Sequence, residues 1–131
     1  MIVKQHAIRV SSALTRDIDG IRRVIVARTD GLAFHDDGPE RDHETAAAIV
    51  ATVLGIAQRA AAAHALGAFV QTTVKAADGS LVVYGIGTTH ILAVVTDPSV
   101  NLVLLDRLAL RLVGGLVGAE SGAVPVARAG A

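Results

Sequence analysis

"AFVQTTVKAADGSLVVYGIGTTHILAVVT", residues 68–96, contains three short apolar runs separated by turn residues. β-Branched residues are frequent in all three runs, and the first run alternates apolar and polar side chains, as β-strands do. Asp78-Gly79 lies between the first two runs, and such a pair favours a tight hairpin turn because it tolerates positive φ. The stretch therefore predicts a meander of three antiparallel strands, at 68–76, 80–86 and 90–96.

A second hairpin is predicted closer to the start of the chain. The apolar runs 21–28 and 32–35 flank Asp30-Gly31, for which we expect a tight primed turn. Hydrophobic periodicity predicts helices at 6–19, 44–67 and 101–118. The element order is α-β-β-α-β-β-β-α, which predicts an α+β fold. The middle helix covers one face of an antiparallel sheet, and the two terminal helices share the other face.

The composition predicts a single domain that associates with other proteins. Of 131 residues, 52% are hydrophobic and only 18% are charged. A small domain cannot easily bury that much apolar surface, so self-association is the simplest expectation. Residues 118–131 show no periodicity. We expect one domain over 1–117 and a flexible tail over 118–131.

Several classes of protein are disfavoured by the composition. The uncharged run 45–58 ends at Arg59 and is too short to span a membrane, so we expect no membrane insertion. No long apolar run follows Met1, which argues against a signal peptide and for a cytoplasmic protein. The net charge is zero and only 2% of residues are aromatic, which argues against nucleic-acid binding. The chain has no cysteine, so thiol chemistry is excluded.

No catalytic motif is present in the sequence. Neither Lys4 nor Lys75 follows a glycine-rich run, so there is no P-loop. "GIG" at 85–87 lacks the third glycine of a dinucleotide fingerprint and is better explained as a turn. There is no Gly-x-Ser-x-Gly elbow either.

Polar residues cluster in the segment 35–43, which holds two histidines, three aspartates and a glutamate. A metal site would need a defined ligand spacing, which this segment lacks, so a solvated loop is the favoured interpretation. Asp42 or His43 is expected to cap the following helix, with Glu44 in its first turn. His64 is expected to be a buried or half-buried helix residue, and His90 is isolated in the sequence. No acid, base and oriented partner come together, so we expect no enzyme activity, no metal and no cofactor.

The ordered set of segments resembles the Roadblock family, which comprises roadblock-type dynein light chains and their bacterial relatives. The resemblance covers about residues 6–117 and rests on four segments: "DIDGIRRVIVARTDGLAF" (17–34), "LGAF" (66–69), "DGSLVVYGIGTTHILAVVTD" (78–97) and "NLVLLDRLALRL" (101–112). One departure is Gly114-Gly115, each costing about 1 kcal/mol in a helix interior, which would favour an early end of the last helix.

The resemblance implies a fold, partners and a role. The fold would be a profilin-like or longin-like α/β/α sandwich around a five-stranded antiparallel sheet. The chain would form a homodimer, or a heterodimer with a related Roadblock chain, through sheet edges and central helices. Bacterial members regulate or scaffold Ras-like small GTPases. In actinobacteria, whose protein composition this chain resembles, they also occur with a sensor kinase-like membrane protein. The family has no catalytic residues, and members that accelerate GTP hydrolysis are thought to reshape the GTPase.

The alanine-rich helix is predicted to have two buried sides. On a helical wheel its larger residues form one arc suited to the sheet: Ile49, Val50, Val53, Leu54, Ile56, Ala57, Ala60 and His64. Small residues lie almost opposite and would let a second helix approach closely. The alternative is that alanine merely favours helix on a solvent face, but the usual Lys and Glu are missing there. The strand at 68–76 is predicted to pair with a second copy, since Lys75 is its one charge. The predicted dimer interface comprises Ala47, Ala51, Gly55, Gln58, Ala62, Phe69, Gln71, Thr73 and Lys75.

Two functions from different classes fit these observations. The first is a non-catalytic dimeric regulator or scaffold of a Ras-like GTPase. The second is a structural adaptor that tethers other proteins without changing nucleotide turnover. Small-molecule sensing inside the sandwich is a third idea, which the nearly aromatic-free core disfavours.

Overall fold

A computed structural model describes the backbone of residues 1–121 and the side chains of residues 1–118. Its helices are α1 (Lys4–Asp17), α2 (His43–Ala63) and α3 (Leu102–Ser121), and a 3-10 turn (Glu40–Asp42) precedes α2. Its strands are β1 (Ile21–Arg28), β2 (Ala33–Asp36), β3 (Gln71–Ala76), β4 (Gly79–Ile86) and β5 (His90–Thr96). The predicted order of helices and strands is confirmed.

The five strands form one antiparallel sheet in the order β2-β1-β5-β4-β3. Both predicted units are present, because β1 pairs with β2 and the strands β3, β4 and β5 form a meander. The long connection through α2 brings β1 beside β5, at the centre of the sheet. The free edges of the sheet are therefore β2 and β3.

Alternation along the strands divides the core into two layers. Val24 and Val26 face α1 and α3, together with Tyr84 and Leu92 from the meander. Their sequence neighbours, such as Ile25, face α2. The α+β sandwich, with α2 alone on one face and both terminal helices on the other, is confirmed.

The last helix is longer than predicted. It continues through Gly114-Gly115 to Ser121, so an early end at these glycines is wrong. Val113 and Leu116 on either side are buried in the core, and this packing offsets the poor helix propensity of glycine. The helix also passes the predicted domain end at residue 117. The rest of the predicted tail, residues 122–131, lies outside the described residues.

The turn at Asp30-Gly31 differs from the expected primed turn. A primed two-residue turn of type I′ needs positive φ at both central residues. Here only Gly31 has positive φ, at 91°. Its N–H donates to the carbonyl of Arg28, and the Arg28 N–H donates to the carbonyl of Leu32. The bonded residues Arg28 and Leu32 thus enclose a three-residue loop, 29–31, whose left-handed Gly31 turns the chain into β2.

The second hairpin turn is shifted by one residue from Asp78-Gly79. Ala76 pairs with Gly79, so the two loop residues are Ala77 and Asp78. Gly79 itself begins β4 with φ of +151°, and a Cβ there would overlap the carbonyl of Thr96. Glycine is required at this position because the neighbouring backbone approaches so closely.

The alanine-rich helix ends earlier than predicted, and β3 begins later. The Leu66 N–H donates to the Ala61 carbonyl, and the Ala65 N–H to the Ala62 carbonyl, which is a Schellman ending. The left-handed residue is Ala65, with φ of 51°. The prediction that the helix reaches Gly67 is wrong because this motif terminates it at Ala63.

Candidate functional site

The face that α2 turns to its sheet is narrower than predicted. Only Ala47, Val50 and Leu54 are buried, and they contact the core layer of β1, β4 and β5. Ile49 and Ile56, assigned to this face from the sequence, are 53% and 65% exposed. Apolar residues occur all around this helix, so a helical wheel alone could not give its rotation against the sheet.

Ala47 is the clearest correction to the predicted interface. It is fully buried against its own sheet, and a residue without exposed surface cannot contact a second helix. Ala51 is half-buried and also packs on this core layer. Its small side chain lets α2 lie close to the strands.

The remaining small residues of α2 border a shallow cavity of about 330 Å³. Ala51, Gly55 and Gln58 form one wall, and the opposite wall is Thr29 with Gly87-Thr88, from two turns of the same chain. A Cβ on Gly55 would have no atom within 4 Å. Ala62 lies outside this cavity and is exposed.

The predicted edge residues of β3 are fixed against α3. The Gln71 amide donates to a carboxylate oxygen of Asp106 at 3.2 Å, and the Thr73 hydroxyl donates to the Gln71 side-chain oxygen at 2.8 Å. The Tyr84 hydroxyl donates to the same Asp106 oxygen at 3.0 Å. Burial, with Asp106 as a second cause, raises the pKa of Tyr84. These bonds hold the free edge in an extended conformation, while Lys75 is exposed.

Phe69 precedes β3 instead of lying in it. Its ring is half-buried and packs against the core layer under α2. The segment after α2 leaves a cavity of about 350 Å³ between the C-terminal turns of α2 and the start of β3. Leu66 and Val70, which help to line it, are 73% and 59% exposed.

An apolar corner of the sheet lies at the other end of β3. Val74, Leu81 and Val95 are aligned across β3, β4 and β5 by the strand register. They line an open cavity of about 450 Å³ with Arg22 and Asp78. Helix α2 does not cover this corner, and Val74 is 49% exposed.

We give the name β3–α2 surface to the exposed apolar residues of α2, of the segment after it and of β3, together with the free backbone edge of β3. These residues are Ile49, Ile56, Leu66, Val70 and Val74. Exposed apolar groups of this size on a small domain indicate a binding surface. Sequence reasoning identified the helix and the strand but missed Leu66, Val70 and Val74. The exposure of Leu66 and Val70 depends on where α2 ends.

The hydropathy of α2 has a second possible meaning. The helical segment 40–63 is long enough to cross a membrane, and an 18-residue window within it has a mean hydropathy of 1.6, with 17% of that window buried. One side of α2, however, covers the sheet and packs against core residues such as Ile25. Insertion of α2 in a bilayer would expose the face of the sheet that α2 covers. A protein partner therefore explains the exposed side of α2 better.

The polar segment 35–43 is partly buried and structural. Arg23 donates two hydrogen bonds to Asp36, at 2.7 and 2.6 Å, and the Asp36 side chain is 1% exposed. Burial alone would raise the pKa of Asp36, but the bonds from Arg23 and the Gly38 N–H outweigh it, and the pKa lies below its usual value. The expectation of a solvated loop is therefore wrong for Asp36.

Two further expectations about this segment are corrected. Asp42 occupies the N-cap position of α2, yet its side chain makes no capping hydrogen bond. His43 donates instead to the Gly38 carbonyl at 2.8 Å. Among the side chains of residues 1–118, no group of three His, Asp or Glu is placed to hold a metal.

The two histidines considered outside this segment have different surroundings. His64 ends α2 and is exposed, so its predicted burial is wrong. His90 is buried and its ring meets Phe34 edge-on at 4.7 Å. Packing of this kind gives His90 a structural role in the core.

The fold and the exposed surface define an α/β/α module whose free strand edge and central helix are available for association. A family model described as the Roadblock/LC7 domain matches residues 10–96. The chain belongs to the Roadblock/LC7 family, as its resemblance implied, and this family is generally non-catalytic.

Solved structures with the same fold include bacterial Roadblock proteins. A Roadblock/LC7 domain from Streptomyces avermitilis superposes with a TM-score of 0.79 at 18% identity, covering 86% of this chain and 96% of that one. Myxococcus xanthus MglB gives 0.79 at 18% identity, with 90% and 96% covered. The gliding protein MglB of Thermus thermophilus gives 0.77 at 18%, with 92% of each chain covered. Comparison with curated protein sequences finds no significant match.

Proposed function

We propose that this chain is a cytoplasmic, non-catalytic regulator or scaffold of a Ras-like small GTPase and that it acts as a dimer. The observation that carries the dimer is the β3–α2 surface, where exposed apolar side chains adjoin an unpaired strand edge. A free, nearly uncharged edge is a template for pairing with another chain.

The geometry of β3 suggests how two copies would join. Antiparallel pairing of the two β3 edges about a two-fold axis perpendicular to the sheet extends the sheet across both copies. This pairing sets the start of one β3 beside the end of the other. Leu66 and Val70 of one copy then approach the apolar corner at Val74 of the second. A related Roadblock chain with the same edge could replace the second copy.

The two-fold axis also puts both α2 helices on the same face of the extended sheet. Ile49 and Ile56 are exposed on each helix, so the paired helices would offer a broad apolar platform. The GTPase partner is what the resemblance to the Roadblock family implies, and the fold shared with MglB supports it. A sensor kinase-like membrane protein is the further partner that the resemblance implies.

GTP hydrolysis by the small GTPase encoded beside this chain tests the proposal. We expect tight binding and a changed hydrolysis rate, because a regulator must bind the two conformations of the GTPase differently. The matched variant Ile56→Glu, on the platform, should lose both effects, whereas Leu32→Glu, at the opposite end of the sheet, should retain them. Tight binding with an unchanged rate would identify the structural adaptor instead.

A further inference from the structure

The charges of this chain are segregated, although their sum is zero. The described side chains of α1 and α3 include five cations but only two anions. The cations are Lys4, Arg9, Arg16, Arg107 and Arg111, and all five are exposed. Five of the acidic residues lie in the segment 36–44. One of them, Asp37, reaches α1 and accepts a hydrogen bond from the Ser11 hydroxyl at 3.4 Å.

The two anions of this layer do not neutralise the other cations. Asp17 is paired with Arg16 at 2.8 Å. Asp106 points towards the sheet, where it accepts hydrogen bonds from Tyr84 and Gln71. Among the described residues, Lys4, Arg9, Arg107 and Arg111 make no ion pair. Four unpaired positive charges therefore face outward from one layer.

Apolar side chains lie among these cations. Ile8, on α1, is 42% exposed, and Leu104, on α3, is 43% exposed. On each helix they lie within about one turn of an arginine, namely Arg9 and Arg107. Exposed apolar residues interleaved with arginines suit the boundary between lipid headgroups and acyl chains.

From this arrangement we propose that the α1–α3 layer binds the surface of an anionic membrane. Charge complementarity selects the ligand, because the cations are spread over two helices that lie side by side on the sheet. Each cation near an anionic surface contributes about a fivefold gain in partition, corresponding to about 1 kcal/mol. The summed contribution of four such cations to the free energy of binding exceeds that of a single exposed ion pair, which is about 1 kcal/mol or less.

The orientation of the proposed dimer strengthens this binding. A two-fold axis perpendicular to the sheet places both α1–α3 layers on the face opposite the two α2 helices. The dimer would then rest on the membrane by one face and present the α2 platform to its GTPase on the other. This coupling rests on the proposed dimer, whereas the charge of the layer belongs to each single copy.

Sedimentation with vesicles tests the inference. The full chain is mixed with vesicles of phosphatidylcholine alone, or of equal parts phosphatidylcholine and phosphatidylglycerol. We expect binding to the second kind alone, weakened by added salt because screening shortens the range of the attraction. Arg9→Gln combined with Arg111→Gln should lower the partition about 25-fold or more.

The control makes the same charge change outside the layer and away from the proposed dimer edge, with Arg28→Gln and Arg41→Gln, and should bind like the unaltered chain. Light scattering of every variant reports the oligomeric state. A monomeric chain that still binds anionic vesicles contradicts the proposed dimer and supports the membrane surface. A dimer that ignores anionic vesicles, or an equal loss in the control, overturns the membrane inference. So does a double variant that binds vesicles normally but loses the GTPase, since the layer would then be a protein-binding face.

Discussion

At the scale of single residues, the ion pair of Arg23 with Asp36 connects β1 to the end of β2. It also fixes the start of the segment that leads into α2. Asp36 also accepts a hydrogen bond from the Gly38 N–H at 2.8 Å, and Asp37 accepts one from the Val24 N–H at 2.8 Å. A pair of charges this buried is costly to break, because the remaining partner stays desolvated. The segment is therefore a structural clamp.

Asp36→Asn should reduce the free energy of unfolding by about 2 kcal/mol at neutral pH, since Arg23 loses its ionic partner. The pKa of Asp36 is depressed in the folded chain. Its stabilisation is therefore complete above the unfolded pKa of about 3.9 and disappears as the pH falls through the folded pKa. Urea unfolding of both proteins at neutral pH and in acid should show curves that converge in acid.

The exposed pair Arg28–Asp30, at 3.4 Å, is the matched control for this change. Asp30→Asn should alter stability by no more than about 0.5 kcal/mol, because solvent screens the pair. Equal effects of the two variants would show that burial of Asp36 contributes nothing.

Ala65 is a second residue with a measurable local cost. It has the left-handed conformation that ends α2, which costs a residue with a Cβ about 1 kcal/mol. Ala65→Gly should raise the free energy of unfolding by about 0.5–1 kcal/mol in thermal or urea unfolding. Ala48→Gly, inside the same helix, should lower it by about 1 kcal/mol. A loss in both variants would contradict the Schellman ending.

At the scale of elements, β3 is a free edge of the sheet that is also hydrogen-bonded to α3 through a side chain. One side pairs with β4 over its full length, and the other side has no partner strand among the described residues. The Gln71 amide bonds it to Asp106 of α3, and the Thr73 hydroxyl supports Gln71 by donating to its side-chain oxygen. A free edge with few charges is suited to pair with a second copy.

Val74→Asp should convert the proposed dimer to a monomer in light scattering at micromolar concentration. The substitution buries a carboxylate in the apolar corner of the interface, and an unpaired buried charge costs several kcal/mol. Leu32→Asp makes the same change on an exposed residue near the β2 edge and should leave the dimer intact. If the Val74 variant remains dimeric, the edge pairing is wrong.

At the scale of the whole molecule, the sheet separates two surfaces of different chemistry. The α2 face has Ile49 and Ile56 exposed and little charge, whereas the α1–α3 face combines exposed leucine and isoleucine with unpaired arginines. A net charge of zero hides this difference. The sheet holds the two faces apart, so the proposed GTPase and the proposed membrane surface would not compete for the same side of the chain.

The sequence by itself determined the number, type and order of the elements. The bounds of the strand at 21–28 were predictable to the residue. A run of β-branched residues between turn residues favours a strand through local preferences, which the sequence shows directly. Tertiary structure alone decided the rotation of α2, and hence the burial of Ala47 and the exposure of Ile56. An apolar helix has no polar side to orient it, so its rotation depends on which residues fit the strands beneath. The tertiary structure also decided the pairing of Arg23 with Asp36 and the position of the arginines on one face. Both bring together residues that are far apart in the chain.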